Sequence, residues 1–249
     1  MIKQVPNLIT SLNLLCGCVA VFFAVSGDLV TAAIFVCFGI FFDFFDGLTA
    51  RLLHAQSEVG LQLDSLADAV TSGVVPGIVM VQLLSEALLG GPMVIADTFG
   101  NDTWNEGMIR YVPFVGLLIT VASVYRLAKF NVDTRQTSSF IGLPTPANTL
   151  LVLSLPLIIQ FQYSELLASI IYNQWFLFGF TILSCILLNA ELPLFALKFK
   201  HWGFKGNAVR YIFLVLCVVL LVLFQFLAIP MVIVLYVLLS LLWKDKEVR

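Results

Sequence analysis

Two runs of this chain set carboxylates at helical spacing inside apolar sequence: Asp43-Phe-Phe-Asp46-Gly47-Leu-Thr-Ala50-Arg51 and Gly60-Leu-Gln-Leu-Asp64-Ser-Leu-Ala-Asp68. At about 100° per residue, Asp43, Asp46, Gly47, Ala50 and Arg51 share an arc of roughly 140°, and the phenylalanines fill the rest of the helix. Gly60, Asp64 and Asp68 are spaced four apart and stack on a second, narrower stripe. Two helices therefore offer two carboxylates each.

An ionised carboxylate among apolar groups costs on the order of several kcal/mol unless positive charge meets it. Arg51 is the one cation close in sequence, against four negative charges. Divalent metal is the simplest source of the rest, and all-oxygen ligation favours a hard ion, Mg²⁺ or Mn²⁺, that keeps positions open for water or phosphate. Two such ions roughly neutralise the cluster. Glycine and alanine on the same stripes let a phosphate-bearing ligand lie close to the backbone.

The pattern D-x-x-D-G-x-x-A-R-x8-G-x-x-x-D-x-x-x-D resembles, at every fixed position, the signature of the CDP-alcohol phosphotransferase family. The resemblance implies a membrane enzyme in which Asp43, Asp46 and Asp64, with Asp68 joining them, hold two Mg²⁺ or Mn²⁺ ions. It also implies that Asp68 is the base and that Gly47, Ala50, Arg51 and Gly60 form the CDP pocket. Leu63 to Val70 followed by Gly73 and Pro76, and Arg126-Leu-Ala-Lys129-Phe-Asn131 with Gly142-Leu-Pro144-Thr-Pro146, resemble the phosphatidylserine synthase branch of that family. That branch more often has Ser-Phe-Gly where this chain reads Thr71-Ser72-Gly73. The implied partners are CDP-diacylglycerol, L-serine, membrane lipids and a second copy of the chain in a homodimer.

Other residues extend the site. Asn7, Thr10 and Asn13 recur every third residue on the first span, where they could hydrogen-bond cytosine or ribose, or equally a neighbouring helix. Arg126, Lys129 and Asn131 end the fourth span and are candidates for the serine carboxylate. Snorkelling of the two cations to lipid phosphate is the alternative.

The elements that must position these groups are membrane spans. The 249 residues are 60% hydrophobic and 11% charged, far from the composition of a soluble domain. A net charge of −2 with no basic run argues against nucleic-acid binding. The five cysteines all sit in apolar segments, none in a C-x-x-C arrangement, and read as small buried hydrophobes.

Apolar stretches predict an all-α, polytopic bundle of about eight transmembrane helices. They fall near 8–25, 29–53, 60–89, 109–130, up to 162, 171–194, 211–227 and 230–242. Lys3 ahead of the first resembles a signal peptide, but no A-x-A cleavage pattern follows, so the span is expected to be retained. Pro76 is a candidate kink beside the carboxylates. Trp104, Trp175 and Trp243 fall near span ends, as interfacial tryptophans do.

With eight spans both termini share a side. Of the 13 Lys and Arg only Arg110 lies opposite, so 12 mark that side as cytoplasmic, together with both halves of the motif. A single integral-membrane domain over 1–249 is expected, with 1–135 as the catalytic core and 136–249 as the remaining helices, which supply packing and a dimer surface. The expected activity is phosphatidyl transfer from CDP-diacylglycerol to L-serine with release of CMP. The rival readings are the same chemistry on glycerol 3-phosphate or inositol phosphate, and a cation or proton transporter using the four aspartates as its ion site.

Overall fold

A computed structural model describes residues 4–96, 108–133, 140–194 and 207–242. The expectations for Lys3, Trp104, Arg135, Lys198, Lys200, Lys205, Trp243, Lys244, Lys246 and Arg249 lie outside the described residues. The described residues form helices joined by short turns and links, with one two-residue antiparallel pairing, Phe140 with Leu194 and Ile141 with Pro193.

Helix α1 spans Val5–Val25 with Pro6 in its first turn, and the chain turns at Gly27, whose φ of 86° suits a residue without a side chain. Helix α2, Leu29–Leu52, is capped by Asp28, whose carboxylate accepts from Thr31 N at 3.0 Å. The Thr31 side chain and backbone hold that carboxyl below its ordinary range. The α1–α2 hairpin is the most extensive helix pairing in the fold. Its packing uses small residues: Ala20, Ala24, Ala32 and Ala33 are all buried, as expected where helix backbones approach closely in a membrane.

The third span is one apolar segment, Glu58–Leu89, built from three pieces. Helix α3 is Glu58–Asp68, a π segment follows over Ala69–Val74, and α4 is Val75–Leu89. Pro76 accounts for much of this. It has no N–H to give the carbonyl four residues back, and the Ser72 carbonyl instead accepts from Thr149 Oγ1 at 2.9 Å. The Gly73 carbonyl likewise accepts from Thr120 Oγ1 at 2.9 Å.

The fourth span opens as a 3₁₀ stretch, Met108–Leu117, around Pro113 and continues as α5, Leu118–Val132. It runs antiparallel to the third, since Gly116 packs on Met80 and Val81, Gly73 on Ser123, and Ser65 on Asn131. A Cβ on Gly77 would fall on the Thr120 hydroxyl, and one on Gly116 would lie 2.7 Å from Val81 N.

Helix α6, Thr145–Phe161, is followed by α7, Glu165–Ile171, and α8, Gln174–Asn189. The expected sixth span, 171–194, is corrected here. The helix there, α8, starts at Gln174 after a 61° bend from α7 and stops at Asn189, short of the strand pairing. Asn173 forces the break by capping α8, its Oδ1 accepting from Trp175 N and Phe176 N.

Helices α9, Ala208–Phe224, and α10, Ala228–Leu242, lie in a 34-residue apolar segment long enough for one pass. They double back instead. The Phe213 and Tyr236 rings are 5.6 Å apart, whereas 23 residues of unbroken helix would separate them by about 34 Å. Gln225, with φ of 47°, makes the turn, and Gln162 ties it down by donating to Phe224 O and accepting from Leu227 N, both at 3.0 Å.

By length and composition five apolar helical segments among the described residues, with α9 and α10 counted together as one, or six with α7 and α8 as one bent span, can cross a membrane. These are the dimensions of a multi-pass integral membrane protein. The main apolar core, around Val36, Val79, Met80, Leu84, Ile119 and Leu153, fills the half of the bundle away from the carboxylates.

Candidate active site

The C-terminal end of α2, the N-terminal end of α1, helix α3 and the C-terminal end of α5 meet at one end of the bundle. Asp43, Asp46 and Asp64 each bring one carboxylate oxygen there, all within 4.8 Å of one another. Asp46 is buried, and Asp46 Oδ2 and Asp64 Oδ1 are enclosed without a hydrogen-bond partner. Among the described residues no Lys or Arg forms an ion pair with any of the three. Arg51 is exposed and its Nε donates to Gly47 O at 3.0 Å along its own helix.

Three carboxylate oxygens converging from two helices, with no Lys or Arg paired to them among the described residues, form a donor set that fits a hard divalent cation. Neutral core packing leaves such groups strongly unfavourable.

Asp68 lies one turn deeper on α3, outside that group of three but within electrostatic reach of all of them. Its Oδ1 accepts from Asn13 Nδ2 at 3.3 Å. Asn13 is fully buried, and its own Oδ1 accepts from Thr71 Oγ1 at 2.9 Å. Of the two readings open for the polar stripe on α1, Asn13 therefore takes the interhelical one. Thr10 lies at the Asp46 carboxylate and donates to Pro6 O at 3.1 Å. Asn7 lies against Gly60, where an added Cβ would be 3.1 Å from Asn7 Oδ1.

Gly47 and Ala50 are half-buried beside these groups, and a Cβ on Gly47 would meet only the end of Arg51, at 3.9 Å. The backbone there is open to a ligand.

The three residues at the end of α5 separate. The Arg126 guanidinium is buried near Asp68 and Tyr236, with an Nε that makes no hydrogen bond. Lys129 turns outward to Glu191 at 3.5 Å, and Asn131 Nδ2 donates to Ser65 Oγ at 2.9 Å. Of the three, Arg126 is the one beside the carboxylates.

Two contributors were not read from the sequence as site residues. Thr71 follows Asp68 by three residues, whereas the four-residue step of Gly60, Asp64 and Asp68 leads to Ser72, so the spacing alone does not single it out. Tyr236 comes from a helix read as packing, and no local pattern marks it.

A model of the CDP-alcohol phosphatidyltransferase family matches residues 3–185. The chain belongs to that family. The CDP-alcohol phosphatidyltransferase match takes in every site residue above except Tyr236. The chain is 32% identical over 173 residues to a CDP-diacylglycerol–serine O-phosphatidyltransferase of Bacillus subtilis, covering 68% of this chain and 81% of that one. It is 29% identical over 211 residues to the protein of the same name from Helicobacter pylori strain J99, covering 84% and 79%. An archaetidylserine synthase of Methanothermobacter thermautotrophicus is 29% identical over 172 residues, 67% of this chain and 62% of that one.

Proposed function

We propose that this CDP-alcohol phosphatidyltransferase moves the phosphatidyl group of CDP-diacylglycerol to the hydroxyl of L-serine, giving phosphatidylserine and CMP, at the cytoplasmic edge of the membrane. The observation that carries the reading is the convergence of the Asp43, Asp46 and Asp64 oxygens within 4.8 Å, with Asp68 held one turn away. The names of the related proteins suggest the acceptor, since the bacterial relatives are serine O-phosphatidyltransferases and the archaeal one is an archaetidylserine synthase.

Asp43, Asp46, Asp64 and, at the edge of the set, Asp68 would hold two Mg²⁺ or Mn²⁺ ions, which polarise the phosphoryl oxygens and stabilise charge on the departing nucleotide. Gly47, Ala50 and Gly60 let the diphosphate lie against the helix backbones, with Asn7, Thr10 and Arg51 at the nucleotide end. Asp68 takes the proton of the serine hydroxyl as its oxygen bonds to the lipid-linked phosphorus. The bond from that phosphorus to CMP breaks, and CMP leaves as a monophosphate. Arg126, buried beside Asp68, pairs with the serine carboxylate. A phosphorylated acceptor would call for more cationic groups, and among the described residues Arg126 is the cation next to Asp68.

Eight passes with both termini cytoplasmic complete the reading. The α9–α10 hairpin supports that count, and the skewed basic residues support the orientation.

Purified protein in detergent with CDP-diacylglycerol, Mg²⁺ or Mn²⁺ and labelled serine is the test. CMP release that depends on serine is expected. Release with glycerol 3-phosphate or inositol phosphate but not with serine would reject the acceptor. Ion flux in liposomes without any CDP-lipid consumption would reject the enzyme.

A further inference from the structure

Asn13 is enclosed at a point where α1, α2 and the third span touch, and its side chain links Asp68 on one side to Thr71 on the other. Its Nδ2 donates to Asp68 Oδ1 at 3.3 Å and its Oδ1 accepts from Thr71 Oγ1 at 2.9 Å. An ionised carboxylate can only accept, so the amide nitrogen must face Asp68 and the amide oxygen must face the hydroxyl. The amide thus has one orientation, and the Thr71 hydroxyl reaches its oxygen at 2.9 Å with the Asn13 backbone carbonyl at 3.3 Å as a second acceptor.

Thr71 is held in turn by what is missing around it. Gly17 of α1 and Gly39 of α2 flank it. A Cβ on Gly39 would lie 2.6 Å from Thr71 Cγ2 and 2.9 Å from Asn13 Oδ1, and one on Gly17 would fall on Thr71 Oγ1. The π segment carries Thr71 into that slot.

We infer that Asn13 is a positioning residue for Asp68, fixing one carboxylate oxygen so that the other meets the acceptor hydroxyl, and that Thr71, seated between Gly17 and Gly39, sets Asn13. The inference rests on the proposed role of Asp68 as base. Asn13 is fully buried and both bonded side chains, Asp68 and Thr71, belong to the third span, so its amide is turned to that span. Polar bonding between membrane helices is worth little on average, so a purely structural role predicts small effects on turnover.

The test compares Asn13→Leu, Thr71→Val and Thr71→Ser with the wild type in the serine-dependent CMP-release assay. Both kcat and the KM for CDP-diacylglycerol are measured, with the unfolding temperature in detergent alongside. Misplacing a reacting group by about 1 Å costs about 10²-fold, so Asn13→Leu should lose about that much in kcat while its KM for CDP-diacylglycerol stays within about threefold. Thr71→Val should lose kcat by a smaller factor, and Thr71→Ser, which keeps the hydroxyl, should recover it.

A kcat within twofold of wild type for Asn13→Leu, or a change confined to KM, overturns the inference. Equal losses in Thr71→Ser and Thr71→Val overturn it too, because they would trace the effect to packing. If Asn13→Leu does not fold, the Thr71 pair decides alone. A wild-type protein that ignores serine but turns over another alcohol refutes the acceptor assignment instead, and the same variants are then read with that alcohol.

Discussion

Asp64→Asn exchanges one anionic oxygen of the converging set for an amide nitrogen that cannot ligate a hard cation, so turnover should fall below detection. Asp68→Asn acts differently, because Asp68 lies outside the three oxygens within 4.8 Å. That variant should still bind CDP-lipid while losing about 10²- to 10⁴-fold in CMP release, the range for a removed general base. Near wild-type turnover would refute the base assignment. Chelation by EDTA should abolish activity reversibly, with restoration by Mg²⁺ or Mn²⁺, and persistence of full activity after exhaustive chelation would refute the metal reading. At this scale the carboxylates were legible because their spacing within one helix places them on one stripe. Asn13 and Thr71 were not legible as a pair, since 58 residues separate them and only packing brings them together.

The helices carry the site through close approach, and glycine positions report where that approach is tightest. Gly39→Val would drive side-chain atoms into Thr71 and Asn13, and overpacking of this kind costs about 1–3 kcal/mol. A lowered unfolding temperature together with a loss of kcat is expected. Gly179 has nothing within 4 Å of an added Cβ, so Gly179→Ala should fall within about 0.5 kcal/mol of wild type. Equal effects of the two would show that the α1–α2 contact with Thr71 is not what holds the site. Apolar run length gave the first two spans to within a few residues of Val5–Val25 and Leu29–Leu52. It could not show the π segment at Ala69–Val74, which arises from a proline whose lost hydrogen bond is replaced by threonines on two other helices. It also ran the sixth span through Asn173, because an asparagine cap inside apolar sequence changes hydropathy little while stopping one helix and starting another.

For the molecule as a whole, the direction in which the chain enters and leaves the membrane decides whether soluble serine reaches Asp68. The α2–α3 link at 53–57 belongs to the carboxylate end, whereas the segment after α4 and the α9–α10 turn belong to the other end. The proposed orientation therefore puts Gln56 in the cytoplasm and both Ala96 and Gln225, all three exposed, outside. In a background with the five native cysteines replaced by alanine, Gln56→Cys, Ala96→Cys and Gln225→Cys each present one thiol. A membrane-impermeant thiol reagent added to intact cells should modify Ala96→Cys and Gln225→Cys, and Gln56→Cys only after permeabilisation. Labelling of Gln225→Cys from the same side as Gln56→Cys would mean that the last hairpin enters the bilayer without crossing it, and the eight-pass count would fall. Labelling of Gln56→Cys on intact cells would invert the whole bundle and set the carboxylates on the side away from cytoplasmic serine, a result the serine reading could not survive.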